Sequence, residues 1–302
     1  MSVLLTGGLA AITSVYIASK LHQASIPFAI GSRRAPRSIT PAESQFSNIP
    51  FPAIRFDYED ISTWDSVFAS PPGGIEIAAV WLVVPEIEDP EAAMVQFVEY
   101  CFDKGVRRYV LCAETTTTLD HSVTGKMWRM LMEMNLDYVV LRPTWFMDNF
   151  SHGFHLETIK SESTIYTCAK KGRSPIVAAE DVAALAFHAL TDAKVSNSDW
   201  KVYGPDLLSH DDIAAILSST LGKEITHAKV SPGERQEILT KRLGLSPAYS
   251  RFIVLMENLT LEGQEDVSAE DHAETLGNFV RVVKKKPLGL REFVDEYRAC
   301  WK

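Results

Sequence analysis

Two glycines stand directly behind an apolar run at the start of the chain, Leu4-Leu5-Thr6-Gly7-Gly8, and Leu9-Ala10-Ala11-Ile12-Thr13 follows them. Strand, glycine turn and helix is the order in which a dinucleotide-binding fold builds its phosphate loop. The turn needs residues without a Cβ, and the helix N-terminus offers N–H donors to a pyrophosphate. Gly7 and Gly8 are therefore expected to bind a cofactor. Ser32-Arg33-Arg34 lies just past the second apolar run. There an arginine would meet the 2′-phosphate of NADP; otherwise Arg33 and Arg34 are solvated surface charges.

In an open α/β sheet, ligands bind outside the carboxyl ends of the strands, so the informative residues follow Val84, Leu111 and Leu141. Val84 and Thr115 are expected to touch substrate. Glu114, in Cys112-Ala113-Glu114-Thr115, could face an apolar pocket, stay protonated near neutral pH and act as a general acid. Its alternative is an exposed loop glutamate. Trp145, Phe146 and Phe150 either line the pocket floor, each stabilising a cation by roughly 0.5 to 2 kcal/mol, or belong to the core. Asp148 is a second carboxyl, catalytic or capping a turn. Lys126 either points into the cleft or lies on a solvated helix face. His152 and His155 have no visible third ligand, and the four cysteines are far apart, so no metal is expected.

Short apolar runs must position these groups. Val3–Leu5, Phe28–Ile30, Ile54–Phe56, Ala78–Val84, Tyr109–Leu111 and Tyr138–Leu141 read as strands alternating with helical patterns, the signature of a parallel sheet covered by helices. Met94, Phe97, Val98 and Cys101 recur at helical spacing and read as core, as do Met127, Met130, Leu131 and Met134. A helix is expected from Asp181 to Leu190, and another behind Ser209, capped with Asp212 and ended by Gly222. The expected fold is α/β, a Rossmann-like doubly wound parallel sheet with a smaller, mostly helical C-terminal part. Residues 1–150 form the core, completed by 175–205; residues 151–174 and 206–302 form a substrate-binding cap.

The 302 residues carry 30 Lys and Arg against 39 Asp and Glu, a net charge of -9, which opposes binding to a nucleic-acid backbone. The longest apolar stretch, Ile77–Val84, is too short to span a bilayer, and the first residues enter a strand pattern without a basic leader. A cytoplasmic protein with a small-molecule partner, and neither nucleic acid nor membrane, is the expectation.

Read together, several segments resemble the NmrA-like branch of the atypical short-chain dehydrogenases, in particular the fungal ergot-alkaloid reductases. They are Leu5-Thr6-Gly7-Gly8, Phe56-Asp57-Tyr58, Lys104-Gly105-Val106-Arg107-Arg108, Ala179-Glu180-Asp181-Val182-Ala183 and Tyr203-Gly204-Pro205-Asp206-Leu207-Leu208-Ser209. The most specific is Leu141-Arg142-Pro143-Thr144-Trp145-Phe146-Met147-Asp148-Asn149. The resemblance runs over nearly the whole chain. Relatives follow the paired glycines with Arg-Gly-Lys-Thr, where this chain has Leu9-Ala10-Ala11-Ile12, and they lack an acid at the Glu114 position. The Tyr-x-x-x-Lys pair of short-chain dehydrogenases is absent from the helix before Tyr138, as it is in the ergot-type relatives.

These two departures together lead to the first expectation, a non-redox isomerase or cyclase of alkaloid-type secondary metabolism. It would need no cofactor and would use Glu114 as Brønsted acid, with the aromatics holding a cationic intermediate. The alternative that the resemblance implies is an NADPH-dependent reductase of an imine, iminium or carbonyl, including a redox-coupled cyclase. Gly7, Gly8, Arg33 and Arg34 would then hold NADP(H), with Thr144, Trp145 and Phe146 flanking the nicotinamide. A third reading is a dinucleotide sensor without catalysis.

Overall fold

All six expected runs contribute strands, and except in the edge strand at Ala53–Arg55 their β-branched and aromatic residues are buried between helices. In the computed structural model, which describes residues 1–7, 12–33, 53–194 and 196–302, the order begins β1 (Ser2–Leu5), α1 (Ile12–Gln23), β2 (Phe28–Ser32), β3 (Ala53–Arg55) and α2 (Ser62–Ala69). It continues with β4 (Ile77–Leu82), α3 (Pro90–Asp103), β5 (Arg108–Cys112), α4 (Val123–Glu133), β6 (Asp137–Pro143), α5 (Asp148–Ser151), α6 (Leu156–Glu162), β7 (Thr164–Thr167), β8 (Arg173–Ser174) and α7 (Ala179–Thr191). The remainder comprises β9 (Ser198–Val202), β10 (Leu208–Ser209), α8 (His210–Leu221), β11 (Thr226–Lys229), α9 (Pro232–Glu237), α10 (Pro247–Leu261), α11 (Ala269–Val283) and α12 (Leu290–Glu296).

The main sheet has the order β3-β2-β1-β4-β5-β6-β9, and every pairing from β3 to β6 is parallel. The strand order therefore reverses between β1 and β4, which is the topological switch point where such sheets open a crevice for ligand. The α3 stripe of Met94, Phe97, Val98 and Cys101 is wholly buried. Phe97 packs at 4.8 Å from Phe56 and 5.2 Å from Trp64, ring centre to ring centre. Each such side chain contributes about 1.5–3 kcal/mol by leaving water.

The chain divides into two compact units. One contains Met1–Arg142 and Val182–Lys201, with the main sheet; the other contains Pro143–Asp181 and Val202–Lys302. Helix α7 thus begins in the second unit and runs on in the first. In the second unit, α8 is held as its sequence suggests. The Ser209 hydroxyl accepts from the Asp212 N–H, the Asp212 carboxylate accepts from the Ser209 N–H, and Gly222 ends the helix at φ 68. Its core is a separate cluster that includes Phe150, Ile165, Leu217, Phe293 and Trp301.

Candidate active site

At the switch point the chain leaves β1 through Thr6, which is fully buried. The Thr6 hydroxyl donates to the Trp81 carbonyl (2.8 Å) and accepts from the Val83 N–H (3.1 Å), while the Ser14 hydroxyl donates to the Thr6 carbonyl (3.0 Å). This hook explains why β4 stops at Leu82 and does not continue to Val84. The Val83 N–H turns to a side chain instead of a neighbouring strand. Gly7 follows at φ 88, a left-handed conformation that a side chain would strain, and α1 starts a few residues later. A glycine turn between a central strand and a helix fits a pyrophosphate. Val84 is half-buried and packs on the core, and Arg33 is exposed just past β2. Gly8 and Arg34 lie outside the described residues.

The turn after β5 gathers hydroxyls around one carboxylate. Ala113 N–H extends the pairing with β6 by donating to the Leu141 carbonyl (2.8 Å), and the chain then turns as Thr117 N–H donates to the Glu114 carbonyl (2.9 Å). Glu114 Oε2 accepts from the hydroxyls of Thr117 and Thr124, each at 2.8 Å, and the Thr117 hydroxyl accepts from the Glu114 N–H (3.1 Å). Ser122 Oγ lies 2.9 Å from Thr124 Oγ1. Thr115 is buried beside this group, and its carbonyl accepts from Arg142 Nη2 (2.6 Å), whose other arm meets Asp199 at 2.6 Å. Burial, and then the nearby Glu114 carboxylate, push the Cys112 thiol up to about 12. Glu114 thus sits among hydroxyl donors, and the apolar surroundings expected for a protonated acid are not there.

Lys126, two residues beyond Thr124, does not join this group. It is exposed and ion-paired with Glu91 of α3 at 2.7 Å, so the expected catalytic role gives way to a solvated helix face.

In the second unit, the segment after β6 commits its polar atoms to architecture. Thr144 is buried, and its hydroxyl donates to the Pro175 carbonyl (2.6 Å). Trp145, half-buried, donates its indole N–H to Thr260 Oγ1 (2.9 Å). Phe146, also half-buried, bridges to Val177. Asp148 is buried, with Oδ2 accepting from the N–H of Ala179, the first residue of α7 (2.8 Å), and Oδ1 without a partner. Burial pushes its carboxyl up to about 6, against the lowering effect of its backbone hydrogen bonds. Of the two expectations, catalysis or capping, the capping bond is the one observed. Phe150 is 2% exposed and stacks on His155 (4.8 Å, 6° between planes), so it is core and not pocket floor.

No protein-family model matches the chain. Over 305 residues the chain is 31% identical to agroclavine dehydrogenase of Claviceps purpurea, covering 100% of this chain and 99% of that protein. It is 33% identical over 305 residues to festuclavine synthase I of Penicillium roqueforti, covering 100% of each. The chain belongs to the agroclavine dehydrogenase and festuclavine synthase family. The NmrA-like resemblance, carried most specifically by Arg142-Pro143-Thr144-Trp145-Phe146-Met147, therefore holds. Among solved structures, the triphenylmethane reductase of Citrobacter sp. complexed with NADP(H) superposes with a TM-score of 0.73 at 17% identity, over 98% of this chain and 100% of that one. That likeness shows the Rossmann-like fold.

Membership in the agroclavine dehydrogenase family overturns the expectation of a non-redox isomerase or cyclase that needs no cofactor. Leu9-Ala10-Ala11-Ile12 does not by itself argue against a cofactor, because Gly7 keeps a left-handed conformation and the sheet keeps its switch point. Two features escaped the sequence reading. Thr6 carries only a lone hydroxyl as its signal. Thr117 stands three residues beyond the strand-end acid Glu114, but Ser122 and Thr124 are eight and ten residues away and give no local signal. Among the described residues, no group of three or more His, Cys, Asp or Glu could hold a metal ion, and no helix is long and apolar enough to cross a membrane.

Proposed function

We propose that the protein is an NADPH-dependent reductase that acts on a C=N or C=O carbon of a small alkaloid-type substrate. The observation that carries this reading is the end-to-end identity of 31–33% with agroclavine dehydrogenase and festuclavine synthase. Bound NADPH supplies the hydride. This chain's own contribution begins at Gly7, whose left-handed conformation just past β1 suits the close backbone approach that a phosphate needs. Thr6 fixes that turn to β4 through a side chain that has no freedom left. Arg33, exposed just past β2, supplies a charge suited to a 2′-phosphate. The half-buried aromatic rings of Trp145 and Phe146 make the second unit the candidate for recognising a polycyclic substrate.

Binding tests the cofactor half of this reading. The full chain should bind NADPH saturably and in preference to NADH, and Gly7→Val should abolish binding while Lys126→Ala leaves it unchanged. A wild-type protein that ignores NADPH would contradict it.

A further inference from the structure

The acids named so far are mostly spent. Asp148 caps α7, Asp199 pairs with Arg142, and Glu91 pairs with Lys126. Glu114 is different. Both of its side-chain hydrogen bonds, from Thr117 and Thr124, go to Oε2, and no cationic side chain among the described residues pairs with it. A hydroxyl has one proton to give, so two hydroxyls aimed at one oxygen suit a carboxylate, which only accepts. The bonds from Ala113 to Leu141 and from Arg142 to the Thr115 carbonyl fix the turn that carries it. The result is a rigid negative charge, with Oε1 left over, at the carboxyl end of a central strand, the edge of such a sheet where ligands bind.

We propose that Glu114 is a binding site for an organic cation, the charge partner of a substrate bearing C=N⁺. The identity of that cation rests on the reductase reading, but its binding does not. When hydride adds to a C=N⁺ carbon, a C–H bond forms and the π pair moves onto nitrogen. A neutral amine results, reduced nicotinamide is oxidised, and no proton is needed. Such a reaction needs no proton donor, and the helix before Tyr138 has no Tyr-x-x-x-Lys pair; a fixed negative charge serves to bind the cationic acceptor. A carbonyl acceptor would instead develop an oxyanion, which a carboxylate opposes. Glu114 thereby selects cationic acceptors over carbonyl ones.

The test compares N-methylquinolinium with its uncharged isostere 1-methylnaphthalene by titration against the full chain, with and without NADP⁺. Wild type should bind the cation about tenfold or more tightly over the isostere, a preference that Coulomb attraction at intermediate dielectric can supply after desolvation. The preference should shrink with added salt. Glu114→Gln should lose it at an unchanged unfolding midpoint, and Glu114→Asp and Thr124→Val, which keep the charge, should retain part of it. Equal binding of the two probes by wild type, a salt-independent preference, or an undiminished preference in Glu114→Gln would each overturn the proposal. Cation preference without NADPH oxidation would sink the reductase reading and leave this site standing.

Discussion

Two consecutive strands of one sheet end in opposite ways. After β5, the chain arranges hydroxyls and backbone groups around one half-buried carboxylate, with Oε1 left over. After β6, a run just as rich in reactive residue types consumes them internally. Thr144 holds Pro175, Trp145 holds Thr260, Asp148 caps α7 and Phe150 stacks in the core. Residue type alone does not separate the two; placement does, since Asp148 is buried with Oδ2 committed to α7 whereas Glu114 is half-buried at a strand end.

The contrast can be broken at several points. The largest effect belongs to Phe150→Ala, which should destabilise the protein by about 3–5 kcal/mol in urea unfolding, as expected for an aromatic ring removed from a core. A near-neutral change accompanied by a higher KM would return Phe150 to the pocket. Next comes Asp148. Its folded-state carboxyl titrates at about 6, above the usual carboxylate range, so between those values the native state holds a proton that the unfolded chain has lost. Its contribution to stability is therefore greatest at low pH and is lost as pH rises through about 6. The unfolding midpoint of Asp148→Asn should be flatter than wild type across that window, by up to about 3 kcal/mol. Parallel pH curves for the two proteins would remove Asp148 from the scaffold. Smallest is Lys126→Ala, which should change stability by about 0.5 kcal/mol or less and leave NADPH oxidation unchanged, because its ion pair is solvent-exposed. A large loss of turnover would restore Lys126 to the chemistry.

Much of the fold was legible because it rests on local patterns. The six apolar runs, the α3 stripe and the Ser209–Asp212 cap with Gly222 each lie within a few residues of sequence. Candidate site residues stand out in the sequence only where a strand end and a residue type coincide, as at Gly7 and Glu114. Long-range partners were hidden. Nothing near Trp145 announces Thr260, 115 residues away, and nothing near Thr144 announces Pro175. Aromatic residues such as Phe150 give the same sequence signal in a core and in a pocket, and only burial distinguishes them. The apolar Leu9-Ala10-Ala11-Ile12 segment lacks the charge, third glycine and hydroxyl of the relatives' Arg-Gly-Lys-Thr, but phosphate binding at a strand-to-helix turn draws chiefly on backbone N–H groups and the helix dipole.

Reduction by NADPH is the central claim, and isotope transfer tests it most directly. The protein is incubated with NADPH deuterated at the transferable position of nicotinamide C4 and a clavine-type iminium substrate. The account predicts an amine product carrying deuterium at the former C=N carbon, formed in step with NADP⁺. A product formed without deuterium, or a rearranged substrate formed with NADPH unspent, would contradict it.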